Sequence, residues 1–192
     1  MVRGREGETI LHGDDTDPLL YTRLTMKTAR IALAAVALAA LAVAASFAVG
    51  GKERAPTVQY TLLDGSKHSS DALRGKVVLV NFWATSCTTC VKEMPQLIAT
   101  HQKYKDRGFE TLSIAMAYDP PAYVVNFAES RKLPFRVTMD NTGEMARQFG
   151  KVQLTPTTFV LNKKGEIVQR YVGEPDFKQL HTLLEKLLAE AA

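Results

Sequence analysis

The chain has 192 residues, 46% of them hydrophobic, with a formal net charge of +4 and two cysteines. This length and apolar content suit one folded domain of ordinary size, and two cysteines exclude both a disulfide-dense scaffold and a four-cysteine zinc site. Residues 1–55 hold seven Lys/Arg and six Asp/Glu, which leaves 17 against 14 spread without runs over 56–192, too thin an excess to bind nucleic acid.

Residues 1–25 are polar and aperiodic, and read as disordered or as a mis-assigned start, with Met26 the true beginning. Residues 26–50 have the layout of an export signal: Lys27 and Arg30, then 19 uncharged residues (31–49), ten of them alanine, then Gly50-Gly51-Lys52. Ala42-Val43-Ala44 suits a signal peptidase, which would release a soluble periplasmic protein. The length of the apolar run and its flanking charge favour a retained anchor in the inner membrane, with everything after Gly50 exported to the periplasm or its equivalent. Residues 51–56 are a linker, and 57–192 form the domain.

Alternation over 58–62, the turn Asp64-Gly65 and Lys67-His68-Ser69 predict a β-hairpin, followed by a short helical turn that Gly75 ends. Residues 77–83, too apolar for a wet face, predict a buried central strand. Val91, Met94, Leu97, Ile98 and Tyr104 predict a helix to Arg107 that stops at Gly108 and is kinked by Pro95. A second buried strand follows over 109–116. Tyr123, Val124, Phe127, Ala128 and Leu133 mark a helix, 135–139 a strand and 144–149 a brief helix. Residues 153–161 predict a strand with Pro156 at its mouth, 167–172 its hairpin partner, and Phe177, Leu180, Leu183, Leu184, Leu187 and Leu188 a terminal amphipathic helix. The class is α/β, a mixed sheet covered on both faces.

Cys87 and Cys90 stand where the first long helix begins, directly after a strand. A C-x-x-C at such a position is a redox signature, because the unpaired N–H groups of a first helical turn stabilise a thiolate. Cys87, nearer the helix end, is the expected nucleophile. Cys90 is the expected resolving thiol, which attacks the mixed disulfide and releases the partner. A merely structural disulfide is the weaker reading, since so small a ring constrains little unfolded-chain entropy. His12, His68, His101 and His181 are scattered, so no metal site is expected.

The stretches NFWATSCTTCVKEMP (81–95) and TPTTFVLNKKGEIV (155–168), with an insert between the second strand and Pro156, resemble the thioredoxin superfamily and its exported, membrane-tethered branch that includes TlpA and ResA. The resemblance covers roughly residues 56–190. It implies a thioredoxin-like fold with an N-terminal β-hairpin and a central insert, and a thiol-disulfide oxidoreductase that needs no cofactor and works as a monomer. It also implies that Pro156 is a cis-proline facing the cysteines, with Thr155 free to pair with an extended substrate and Trp83 helping to shape the groove.

The implied work is reduction of protein disulfides, at the haem-site cysteines of apocytochrome c or in a copper-site protein, with electrons from a membrane donor of the DsbD/CcdA type. Asn81 stands where thioredoxin carries a buried aspartate, which leaves the proton route to Cys90 open. Thr88-Thr89 between the cysteines either donate to the Cys87 thiolate or act as neutral helix-start residues. Two rivals are a peroxidase of the peroxiredoxin type, although Thr85 lies two rather than three residues before Cys87, and a redox-inactive assembly factor that uses the Pro156 groove.

Overall fold

The computed structural model describes residues 53–191, so the readings of residues 1–25 and of the apolar stretch 31–49 lie outside the described residues. No helix among those described is long and apolar enough to cross a membrane. The hairpin is present as β1 (Gln59–Thr61) and β2 (Lys67–Ser69), with Tyr60 opposite His68. Its turn places Gly65 at φ +84°, a backbone that side chains disfavour, and Asp64 fastens it by accepting the Ser66 N–H at 2.8 Å. A 3-10 turn, Ser70–Leu73, then leads into β3 (Val77–Trp83), buried at all seven residues.

The main helix α1 (Thr88–Tyr104) runs through Pro95, whose ring lies on the exposed side. Its last expected turn tightens instead into a 3-10 segment, Lys105–Arg107, before Gly108 at φ +84° ends it. β4 (Phe109–Ala115), α2 (Pro121–Ser130), β5 (Arg136–Met139), α3 (Glu144–Gln148), β6 (Thr157–Leu161), β7 (Ile167–Val172) and α4 (Phe177–Ala189) complete the order. Two expectations are revised. The strand expected over 153–161 begins only at Thr157: Pro156 has no N–H for the ladder, and the Thr157 hydroxyl folds the preceding loop by donating to Leu154 O at 2.7 Å. Tyr123, expected on the buried face of α2, is 64% exposed.

The sheet order is β5-β4-β3-β6-β7, with β3, β4 and β5 mutually parallel, β6 antiparallel to β3, and β7 antiparallel to β6. β3 therefore lies at the centre, and its alternation divides the core. Val77, Leu79 and Trp83 face α1, α2 and α4, while Val78, Val80 and Phe82 face Tyr60, Met145 and Phe149 on the other side. Both sheet borders are covered in part. Leu62 bridges Thr138 on β5, and Arg54 bridges Glu166 beside β7, where Ile167 N donates to Glu53 O at 2.7 Å. Leu79 is 1% exposed, so Leu79→Ala leaves a cavity in the central strand and lowers stability by about 3 kcal/mol, read as a lower urea midpoint with unchanged slope.

Candidate functional site

The site is built where β3 and β4 end. The chain leaves β3 in a turn closed by Cys87 N–H donating to Ala84 O at 3.2 Å. Cys87 then caps α1, its Sγ accepting from Cys90 N–H at 3.2 Å. The two cysteines are joined by a disulfide with Cα atoms 5.2 Å apart. Cys87 is half-buried at the helix start, whereas Cys90 is 0% exposed. Cys87 is thus partly open to solvent and Cys90 is enclosed.

The Thr155–Pro156 bond is cis. Thr157 pairs with Phe82, which sets Pro156 level with Trp83 at the end of β3 that carries the cysteines. Thr155 is half-exposed and Pro156 buried, and Pro156 O accepts from Gly173 N at 2.8 Å. Trp83 is 0% exposed and packs on Phe127 with ring centroids 5.1 Å apart. It supports the site from beneath and offers no surface. The structure thus gathers Cys87, Cys90, Thr155 and Pro156 at one end of the sheet, with Trp83 below them.

His68 stacks on Tyr60 in the hairpin. His101 is buried against Phe109 and Phe135, and His181 shares a hydrogen bond with Thr100 at 2.9 Å. Burial holds the pKa of both His101 and His181 below the ordinary histidine value. None of the three is part of the cysteine site. Thr85, the residue weighed for a peroxidase, donates its hydroxyl to Asp119 Oδ1 at 2.5 Å and its N–H to Oδ2 at 2.6 Å. The hydroxyl is thereby committed to a structural bond.

The sequence reading missed Glu93. It lies three residues after Cys90, on the same helix face, and is 0% exposed. Burial pushes its pKa from 4.5 up to about 7, against the hydrogen bond from Asn81 and with help from the negative charge of Glu174. Asn81 Nδ2 donates to Glu93 Oε1 at 3.2 Å and to Thr158 Oγ1 at 3.0 Å. Oε1 thus has a donor, while Oε2 is buried and takes no hydrogen bond from the described residues. An acid with a pKa near neutrality, one helical turn from an enclosed thiol, is suited to exchange a proton with it. The missing aspartate on β3 is thus matched by a glutamate that reaches the same interior from α1.

The family model described as Redoxin matches residues 50–184. The thiol-disulfide oxidoreductase ResA of Bacillus thuringiensis subsp. konkukian (strain 97-27) is 37% identical over 137 residues, 71% of this chain and 78% of that protein. ResA of Geobacillus kaustophilus (strain HTA426) is 33% identical, covering 73% of this chain and 79% of that one. A crystal structure of a thiol:disulfide interchange protein of the thioredoxin family from Chlorobium tepidum TLS is similar with a TM-score of 0.67 at 28% identity, over 73% of this chain and 99% of that one. Sheet order, the cysteine pair at the helix start and these relatives agree: the chain belongs to the redoxin family and is a thioredoxin-like thiol-disulfide oxidoreductase of the ResA type.

Proposed function

We propose that this oxidoreductase is an exported reductant of protein disulfides, held at the inner membrane by residues 31–49. In this reading Cys87 attacks the substrate disulfide, Cys90 resolves the mixed disulfide, and Glu93 takes the proton that Cys90 gives up. The substrate chain pairs beside Thr155 and Pro156, over packing supplied by Trp83. The observation that carries the reading is the unequal burial of the two cysteines, Cys87 half-buried at the start of α1 and Cys90 wholly buried one turn from Glu93.

The substrate class is a protein dithiol site that must stay reduced in an oxidising compartment, namely the haem-site cysteines of apocytochrome c or a copper-site protein. A membrane dithiol donor of the DsbD/CcdA type returns the electrons. The export layout of residues 26–50 and the kinship with ResA support this assignment. The test is the reduction potential of the Cys87/Cys90 pair, equilibrated against a dithiothreitol buffer. A value near or below about −250 mV is expected, and one near about −120 mV would make the protein a disulfide-forming oxidase and end the proposal.

A further inference from the structure

The two loops that must cooperate in this reading are the turn carrying Cys87 and the loop carrying Thr155, and both are fastened to one dipeptide. Asp119, 2% exposed, directs both carboxylate oxygens to Thr85, two residues before Cys87. Its neighbour Tyr118 meets Thr155 hydroxyl to hydroxyl at 3.1 Å. The dipeptide is itself held: Asp119 N donates to Met116 O at 3.0 Å, and Met116 N donates to Trp83 O at 2.9 Å. Pro120 and Pro121 follow, two residues with fixed φ that start α2.

We infer that Tyr118 and Asp119 are positioning residues that set the spacing between the attacking Cys87 sulfur and a polypeptide lying along Thr155. This rests on the reading of Thr155–Pro156 as the pairing loop. Thiol–disulfide exchange requires the incoming sulfur in line with the bond it breaks, and a misplacement of about 1 Å costs about a hundredfold in rate. A polypeptide held at Thr155 has its disulfide placed by that loop, so its rate depends on the distance between the loops. A small disulfide has no segment to lay there and approaches Cys87 freely.

A buried carboxylate is costly unless its oxygens are satisfied, and Asp119 spends both on one residue of the Cys87 turn. Tyr118 carries the same anchor across, keeping its ring 58% exposed at the edge where a bound chain would lie. Loss of the Tyr118 hydroxyl loosens the Thr155 loop alone, whereas loss of the Asp119 carboxylate frees the Cys87 turn itself. Once that turn is free, the Tyr118 link has nothing left to couple.

The test compares, in a single turnover of protein pre-reduced with dithiothreitol and then freed of it, reduction of an oxidised Cys-Xaa-Xaa-Cys-His peptide, the haem-attachment pattern, with that of dithionitrobenzoate, using wild type, Tyr118→Phe, Asp119→Asn and the double variant. The ratio of the two second-order rate constants is expected to fall about threefold in Tyr118→Phe, the worth of one exposed hydrogen bond, and about tenfold or more in Asp119→Asn. The double variant is expected to fall no further than Asp119→Asn alone, the signature of residues acting as one unit.

Tyr118→Phe keeps the ring and the fold, so it answers the question even if Asp119→Asn proves unstable. A ratio that stays constant because both rates fall together shows general loosening and overturns the inference. Losses that multiply in the double variant overturn it as well. If wild type reduces the small disulfide but not the peptide, the proposed function itself falls and takes this inference with it.

Discussion

Cys87→Ser is expected to abolish disulfide reduction, while Cys90→Ser is expected to leave a protein that captures its substrate and cannot release it. In the proposed first half-reaction the Cys87 thiolate attacks one substrate sulfur, a Cys87–substrate bond forms, the substrate S–S bond breaks, and its electron pair departs on the other substrate sulfur. In the second, Cys90 loses its proton and attacks Cys87 Sγ, closing the ring and expelling the remaining substrate thiolate. Cys90 is 0% exposed and Cys87 is not, so the two substitutions interrupt different steps. Non-reducing electrophoresis with mass spectrometry checks this: a stable mixed disulfide on Cys87 is expected for Cys90→Ser and none for Cys87→Ser. Equal trapping by both variants would remove the assigned order of attack.

Glu93→Gln makes the protein slower and, above neutral pH, more stable. Loss of a positioned proton acceptor slows the second half-reaction by about a hundredfold, seen as accumulation of the mixed disulfide in stopped-flow traces. It also removes the inflection near pH 7 from the rate of that step. The stability change has the opposite sign. Glu93 has a folded pKa of about 7 against an ordinary 4.5, so between those values the folded chain keeps a proton that the unfolded chain has released. Stability from this group is therefore full below pH 4.5, falls as pH rises, and is lost by about pH 7.

The whole effect amounts to roughly 3 kcal/mol, which glutamine does not incur. His101 and His181, their pKa lowered by burial, contribute in the reverse direction: the unfolded chain takes up protons first as pH falls through the ordinary histidine value. The difference between wild type and Glu93→Gln across pH 4 to 8 therefore isolates the acid. Identical urea midpoints for the two proteins at pH 5 and pH 8 would show that Glu93 is not a buried, perturbed carboxyl.

The order of elements was legible because each depends on a short-range pattern. The apolar run 77–83 has no wet face, Asp64-Gly65 turns, and the leucines of α4 repeat at helical spacing. The cysteine pair was legible because its chemistry is tied to a strand and a helix start adjacent in sequence. Glu93 was not, since a glutamate between lysine and methionine reads as a solvated helix residue. A signal existed: Cys90, Glu93, Leu97, Thr100 and Tyr104 fall on one face of α1, and all are buried. Asn81 marks the place on β3 where thioredoxin carries its acid, and here the acid comes from the facing helix. Asp119 was illegible for another reason, because its partner Thr85 is 34 residues away and no local pattern reports such a contact. The start of β6 was placed too early because residues 153–156 have an extended look in sequence, while the Thr157 hydroxyl bends them away from the ladder.

The covered borders of the sheet bear on how copies of this protein behave when crowded. A strand with free N–H and C=O groups along its outer side is a template on which another chain can grow. Here Glu53 to Ala55 occupy the outer side of β7 at its start, through Ile167 N–H to Glu53 O and Ala55 N–H to Gly165 O at 2.9 Å. The stretch beyond carries exposed Gln169 and Arg170. On the far border, Thr138 donates to Thr61 O at 2.7 Å, so the hairpin lies across β5. A neighbouring copy thus finds the start of β7 and the Thr138 position of β5 already engaged, and along the rest of β7 the exposed Gln169 and Arg170 disfavour growth into a shared sheet.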